Sequence, residues 1–205
     1  MGWLDDVRCM KVIGDIIVRH GVPETFYMDQ GACFGRIGWH QDATQVGRAL
    51  KEVGCHLLLA TSPQAKGRVE RLWGTLQDRL IAELKYHQIN RIPTANEFLS
   101  RFIDDFNHRF AISPREQRSA FKPYVMYESI NDIFCVKEAR KISNGNIFSW
   151  ENEKYIINVK DNLAHKTLYA RLHQNYSTSF EVMGKKVPVI KVEKDVKTTR
   201  LKYCA

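Results

Sequence analysis

The sequence lacks the cysteine patterns of disulfide-rich and zinc-binding proteins. Its five cysteines are Cys9, Cys33, Cys55, Cys135 and Cys204, an odd number without a C-x-x-C pair. This set argues against a disulfide framework and a zinc finger, and it fits a reducing cytosol. The sequence also has no apolar run of membrane-spanning length and no signal-peptide pattern at its start. We therefore expect a cytoplasmic protein that does not bind a membrane.

Acidic residues are fewer than basic ones. The sequence has 23 Asp and Glu against 31 Lys and Arg, a formal net charge of +8. The excess is uneven, because residues 1–130 carry 17 basic and 15 acidic side chains and residues 131–205 carry 14 and 8. A positive charge of this size favours a polyanionic partner, with nucleic acid first and an anionic membrane surface second. A basic structural protein without such a partner is the alternative.

Residues 1–125 have the pattern of an α/β domain. Apolar residues at helical spacing follow Asp5 and Asp6 and stop at Gly21, and a short β-prone run then ends at Asp29. A second helix is predicted to start at Asp42. The apolar run 55–60 then predicts a strand covered on both faces. Strand, helix and strand in this order indicate a parallel pair with a right-handed crossover.

Two longer helices are predicted next. The first has an apolar stripe that we expect to be buried, and the second is expected to start with a capping box formed by Thr94 and Glu97. The stripe of the first helix consists of Val69, Leu72, Trp73, Leu76, Leu80 and Leu84. From residue 126 to 205 the pattern changes to short alternating segments separated by turns, which predicts a small all-β domain, a barrel or a sandwich.

Two acidic residues stand where a divalent metal ion would bind in such a domain. Asp29 ends one predicted parallel strand, and Glu70 lies in the first turns of the helix that follows the next strand. Sites in open α/β sheets form at the carboxyl ends of the strands. Paired carboxylates suit hard cations such as Mg²⁺. From spacing alone, a turn residue and a solvated helix residue remain the simpler interpretation.

The sequence around Glu70 resembles a known signature. The run SPQAKGRVERLWGTLQDRL, residues 62–80, is similar to the segment in which a Pro-Gln, a small or basic stretch and a glycine precede the catalytic glutamate of DDE transposases and retroviral-type integrases. It looks most like the bacterial ISNCY-type transposases. Asp29, within YMDQG, sits where the family has its second catalytic aspartate. The similarity extends from about His20 to Pro123.

The resemblance implies a ribonuclease-H-like integrase core, followed by the small basic β-barrel. It implies that Asp29 and Glu70 bind two Mg²⁺ or Mn²⁺ ions together with a third carboxylate. The reaction would be DNA transposition by strand cleavage and transfer, on transposon ends and target DNA near the nucleoid. We expect five residues around Glu70 to contact DNA. They are Gln64, Lys66, Arg68, Arg71 and Gln77.

The first catalytic aspartate of the family has no counterpart here. One predicted helix fills the sequence before the Asp29 strand, so the three strands that carry this aspartate have no room. We therefore expect an integrase core without its first strands and with impaired catalysis, which oligomerises or assembles with a full-length transposase. The alternatives are a non-catalytic DNA-binding remnant or regulator, and a nuclease of the ribonuclease H type without strand transfer.

Overall fold

A computed structural model describes residues 3–125 and 128–192. The helices are α1 (Trp3–His20), α2 (Gln45–Glu52), α3 (Gly67–Tyr86), α4 (Ile92–Phe110) and α5 (Ile130–Ile133). The first strands are β1 (Val22–Pro23), β2 (Thr25–Met28), β3 (His56–Leu59) and β4 (Phe121–Lys122). The later strands are β5 (Val136–Lys141), β6 (Ile147–Trp150), β7 (Glu153–Ile157), β8 (Thr167–Leu172), β9 (Thr178–Val182), β10 (Lys185–Lys186) and β11 (Val189–Lys191). No helix in these ranges is long and apolar enough to cross a membrane.

The α/β part is built on one parallel strand pair. β2 and β3 pair in parallel with Thr25 opposite His56 and Met28 opposite Leu59, and α2 lies between them in the sequence. The predicted strand–helix–strand unit is therefore confirmed. The helices α1 and α2 cover one face of this pair, and their fully buried side chains, such as Met10 and Leu50, form the core there.

Three sequence predictions about this part are wrong in detail. The helix predicted to start at Asp42 starts at Gln45, because the Thr44 side chain caps it by accepting the backbone N–H of Gly47 at 3.1 Å. Helix α4 starts at Ile92, ahead of the predicted capping box, and no side-chain hydrogen bond caps it. The strand β3 is covered on one face only, since Leu58 on the other face is 55% exposed.

Helix α3 differs most from its prediction. None of the side chains that the structure describes in this helix is buried, so the predicted buried stripe is exposed near the helix start. The physical reason is that, among the described residues, the ring contacts between α3 and α4 lie at the far half of α3 and at its C-terminal end. There the guanidinium of Arg79 lies 4.5 Å from the ring centre of Phe110, and the rings of His87 and Phe98 are 5.2 Å apart.

The C-terminal part consists of two small antiparallel sheets. One has the strand order β10-β9-β8-β5 and the other β11-β7-β6. Phe148 and Trp150 of one sheet and Phe180 of the other pack in the core between them. Among the described residues these sheets stay separate, so the predicted barrel is not closed and the arrangement is that of a sandwich.

Polar side chains join the two parts. The Gln45 amide donates to the backbone O of Lys137 at 2.8 Å and accepts its N–H at 3.0 Å. Arg48 donates to the backbone O of Cys135 at 2.5 Å and to that of Ile133 at 3.3 Å. Since Gln45 and Arg48 are on α2 and their partners lie around the start of β5, these contacts fix the β sandwich against the α/β core.

Candidate functional site

Asp29 directly follows β2 at the carboxyl end of the parallel pair. The N–H of Ala60, the first residue after β3, donates to the backbone O of Met28 at 2.8 Å, so the two strands end side by side. The Asp29 carboxylate is 51% exposed at this end. It therefore points into solvent where the segment leading to α3 departs.

Gln30 ties the two strand ends together. Its amide Nε2 donates to the backbone O of Ala60 at 3.1 Å. This contact fixes the chain direction immediately after Asp29. Sequence reasoning missed it, although a polar residue beside a strand-end aspartate is a usable signal.

Lys66 brings the segment before α3 to Asp29. It ends the short 3₁₀ turn Pro63–Lys66, and its Nζ lies 3.4 Å from Asp29 Oδ2. Both side chains are more than a third exposed, so the pair stabilises the fold by at most about 1 kcal/mol. Its importance is geometric, since it places the start of α3 beside the strand end.

Glu70 lies in the first turn of α3, four residues after Lys66. Its side chain is exposed and has no hydrogen bond or ion pair with any residue of the described ranges. At this position the positive end of the helix macrodipole stabilises the negatively charged carboxylate. The structure thus places Glu70 one helical turn from the residue that contacts Asp29, without a direct contact between the two acids.

The other residues predicted to contact DNA are all on the surface. The Arg71 Nε donates to the backbone O of Gly67 at 3.0 Å, while Arg68 has no ion-pair partner in the part of the chain that the structure describes. Gln64 precedes α3 and is exposed. Gln77 lies seven residues after Glu70, about 10 Å farther along the helix. Lys66 is the member of this set that contacts a predicted metal ligand.

The loop after Asp29 carries an exposed tryptophan that sequence reasoning missed. Gly31 and Gly35 form a β-bridge, and the Gly35 N–H donates to the Gly31 backbone O at 2.8 Å. A second turn follows, closed by the Trp39 N–H and the Arg36 backbone O at 3.0 Å. Trp39 is 54% exposed and Ile37 is 55% exposed. In the sequence, Gly31, Gly35 and Gly38 were the pattern from which two closely spaced turns could have been predicted.

The thiol of Cys33, in the same loop, is unreactive near neutral pH. Burial, the largest cause, together with hydrogen bonding to Asp6 and the proximity of Cys9, raises the pKa of its thiol to about 12. A thiol with such a pKa stays protonated near neutral pH, whereas the thiolate is the nucleophile and metal ligand. Cys33 therefore contributes packing rather than a reactive group next to Asp29.

Within residues 3–125 and 128–192, no three His, Cys, Asp or Glu side chains lie together as a metal-binding group. The predicted ligands Asp29 and Glu70 are two separate carboxylates, and the Lys66 ammonium lies beside the first. Oxygen donors of this kind suit Mg²⁺ or Mn²⁺.

Comparisons with known proteins relate the chain to transposases. No model of a known protein family matches the chain. The putative transposase y4bF of Sinorhizobium fredii is 38% identical over 144 residues, which cover 67% of this chain and 31% of that protein. The chain is similar to transposases. The transposase for insertion sequence IS1202 of Streptococcus pneumoniae is 32% identical over 151 residues, 71% of this chain and 32% of that protein. The chain thus spans about a third of the length of these curated relatives.

Proposed function

We propose that this chain is part of the catalytic unit of a DDE-type transposase of the ISNCY kind, with a ribonuclease-H-like core, that cleaves DNA and transfers the freed strand. One observation carries the proposal. The parallel pair β2–β3 puts Asp29 at the sheet end where Lys66, at 3.4 Å, brings in the start of α3 with Glu70. The similarity to two transposases supports the same function.

Asp29 and Glu70 fit as ligands of Mg²⁺ or Mn²⁺. Within the described ranges the Glu70 carboxylate has no hydrogen-bond or ion-pair partner, and the half-exposed Asp29 carboxylate pairs with Lys66 through one oxygen, Oδ2. Both acids therefore have oxygen lone pairs free for a hard cation. When bound, two ions stabilise the attacking and leaving oxygens of a phosphodiester displacement. The residues of the chain itself position the ions and the DNA.

Cationic and amide side chains around Glu70 would hold the DNA backbone. Lys66, Arg68 and Arg71 neutralise phosphates, and Gln64 and Gln77 donate hydrogen bonds to the backbone or to bases. The formal charge of +8 supports this partner. We propose transposon ends and target DNA as substrates, in the bacterial nucleoid, with a second copy or a full-length transposase completing the active assembly.

A metal titration tests the site. Mn²⁺ binding to the 205-residue chain is measured by calorimetry for the wild type and for Asp29→Asn, Glu70→Gln and Asp78→Asn. Asp78 is the matched control, an exposed acid on the same helix about 12 Å beyond Glu70. We expect the first two variants to weaken Mn²⁺ binding about tenfold or more, as loss of an important ligand or its support does, and the control to bind like the wild type. Equal affinity in all four proteins would overturn the assignment.

One observation favours a second candidate, a DNA-binding unit that does not cut. The Lys66 ammonium lies 3.4 Å from Asp29 Oδ2, so a cation at Asp29 competes with it for this oxygen. A plasmid-nicking assay in Mn²⁺ separates the two functions. Nicking that Glu70→Gln abolishes supports the catalytic unit. DNA binding that weakens with salt, without nicking at any Mn²⁺ concentration, supports the second candidate.

A further inference from the structure

We propose that Trp39 stacks on an unpaired base of the DNA strand whose phosphate lies at Asp29. This inference deepens the proposed function and rests on it. The loop between β2 and α2 would thus bind unpaired bases. The substrate class would be DNA whose base pairs are opened beside the reacting phosphate.

Trp39 lies close to Asp29 through a short chain of contacts. A Cβ on Gly31 would be 4.0 Å from Asp29 Oδ1, and a Cβ on Gly35 would be 3.7 Å from Cε3 of the Trp39 ring. Gly31 and Gly35 are bridge partners, which sets their separation at about 5 Å. The indole therefore lies within about 15 Å of the Asp29 carboxylate, a distance that a few nucleotides of one strand can span.

The loop holds Trp39 away from the protein core. Its two turns put a positive φ of 102° at Gly35 and of 88° at Gly38, a backbone conformation that favours glycine. The result is an indole that packs on Gly35 and is otherwise 54% exposed, next to the exposed Ile37. An indole held in this way offers a flat apolar face with a polar edge to another molecule.

Charge favours DNA over a protein as that molecule. Arg36 opens the turn that Trp39 closes, it is exposed, and it has no ion-pair partner within the described ranges. An aromatic face beside an unpaired cation matches a base on its phosphate backbone, since bases of every kind stack on aromatic rings while cations follow the backbone.

Fluorescence anisotropy with the full chain tests the inference on three labelled DNAs of one sequence. They are a paired duplex, the same duplex with a two-base mismatch, and the single strand. The variants are Trp39→Ala and Trp39→Phe. Tyr86→Ala is the matched control, an 82% exposed aromatic residue on α3 about 24 Å from Glu70 along the helix.

Trp39→Ala should weaken binding to the mismatched duplex and the single strand by about 5- to 150-fold, the range for loss of one stacked base. The paired duplex should be affected less, and the salt dependence should not change because no cation is removed. Trp39→Phe should restore most of the affinity, and Tyr86→Ala should bind like the wild type.

Two results overturn the inference. One is a Trp39→Ala protein that binds all three DNAs like the wild type, and the other is an equal loss on all three. In both cases normal binding of the wild type to the paired duplex leaves the proposed function intact. If the wild type binds no DNA at moderate salt, the proposed function fails and the inference fails with it.

Discussion

Replacing Arg48 should destabilise the whole chain, because its guanidinium joins the two parts. It donates to Glu52 Oε1 at 2.8 Å and to the backbone O atoms of Cys135 and Ile133, and its side chain is only 18% exposed. Arg48→Met keeps the apolar stem but leaves two buried carbonyl groups without this donor. Hydrogen bonds to charged groups contribute about 1.5–3 kcal/mol each. Since one guanidinium shares them, we expect a total loss of about 3 kcal/mol.

Urea and thermal unfolding measure this loss. In a chain of this length about 3 kcal/mol corresponds to a fall in melting temperature of roughly 6–12 °C. Lys51→Ala is the control, because its pair with Asp42 at 2.7 Å is 60% and 45% exposed and should contribute less than about 1 kcal/mol. If Arg48→Met unfolds within about 1 kcal/mol of the wild type, the joint does not carry the stability that we assign to it.

Two further predictions concern α2 and α3. Burial raises the pKa of Glu52, but the hydrogen bonds from Lys137 and Arg48 outweigh it and lower the pKa overall. A lowered folded-state pKa gives stability that is present above the unfolded value and lost as pH falls through the folded one, so acid unfolding below about pH 4.5 should be less steep in Glu52→Gln. Equal slopes would contradict this. Gly47→Ala should destabilise the protein, since the new Cβ would meet a backbone oxygen at 1.8 Å, whereas Gly74→Ala has open space and should stabilise it by about 0.5–1 kcal/mol. Urea unfolding of both variants decides this, and equal effects would refute the packing argument.

Local sequence signals were enough to predict the parallel pair and the all-β part. The apolar runs that end near Asp29 and Ala60 are each followed by turn signals, and a helix with its own apolar face lies between them in the sequence. A parallel pairing of the two strands, with the helix as the crossover, is the arrangement that this order favours. The alternating segments after residue 130 are strands because their apolar residues fall on one side, as Leu168 and Ala170 do in β8. Both patterns depend on near neighbours in the chain.

The sequence predictions that were wrong or missing concern features that depend on contacts between residues far apart in the sequence. The spacing of Val69, Leu72 and Trp73 shows that α3 has an apolar face but not whether anything packs against it, and these side chains are 48–59% exposed. In the same way, no local pattern shows that Gln45 bonds to the backbone of Lys137, 92 residues away. For the site, the strand-end rule predicted the position of Asp29. The Lys66 contact and the position of Trp39 required the tertiary structure.

The two proposed metal ligands differ in how firmly the protein holds them. Asp29 continues a strand whose half-buried face packs against the core formed by α1 and α2, and the Gln30 amide fixes the turn after it. Glu70 lies on a helix without a buried residue, held at this end by Lys66. A cation must give up part of its binding free energy to order a mobile ligand, whereas a fixed ligand costs little. In the Mn²⁺ titration, Asp29→Asn should therefore weaken binding more than Glu70→Gln, and the reverse order would mean that α3 is the rigid side of the site.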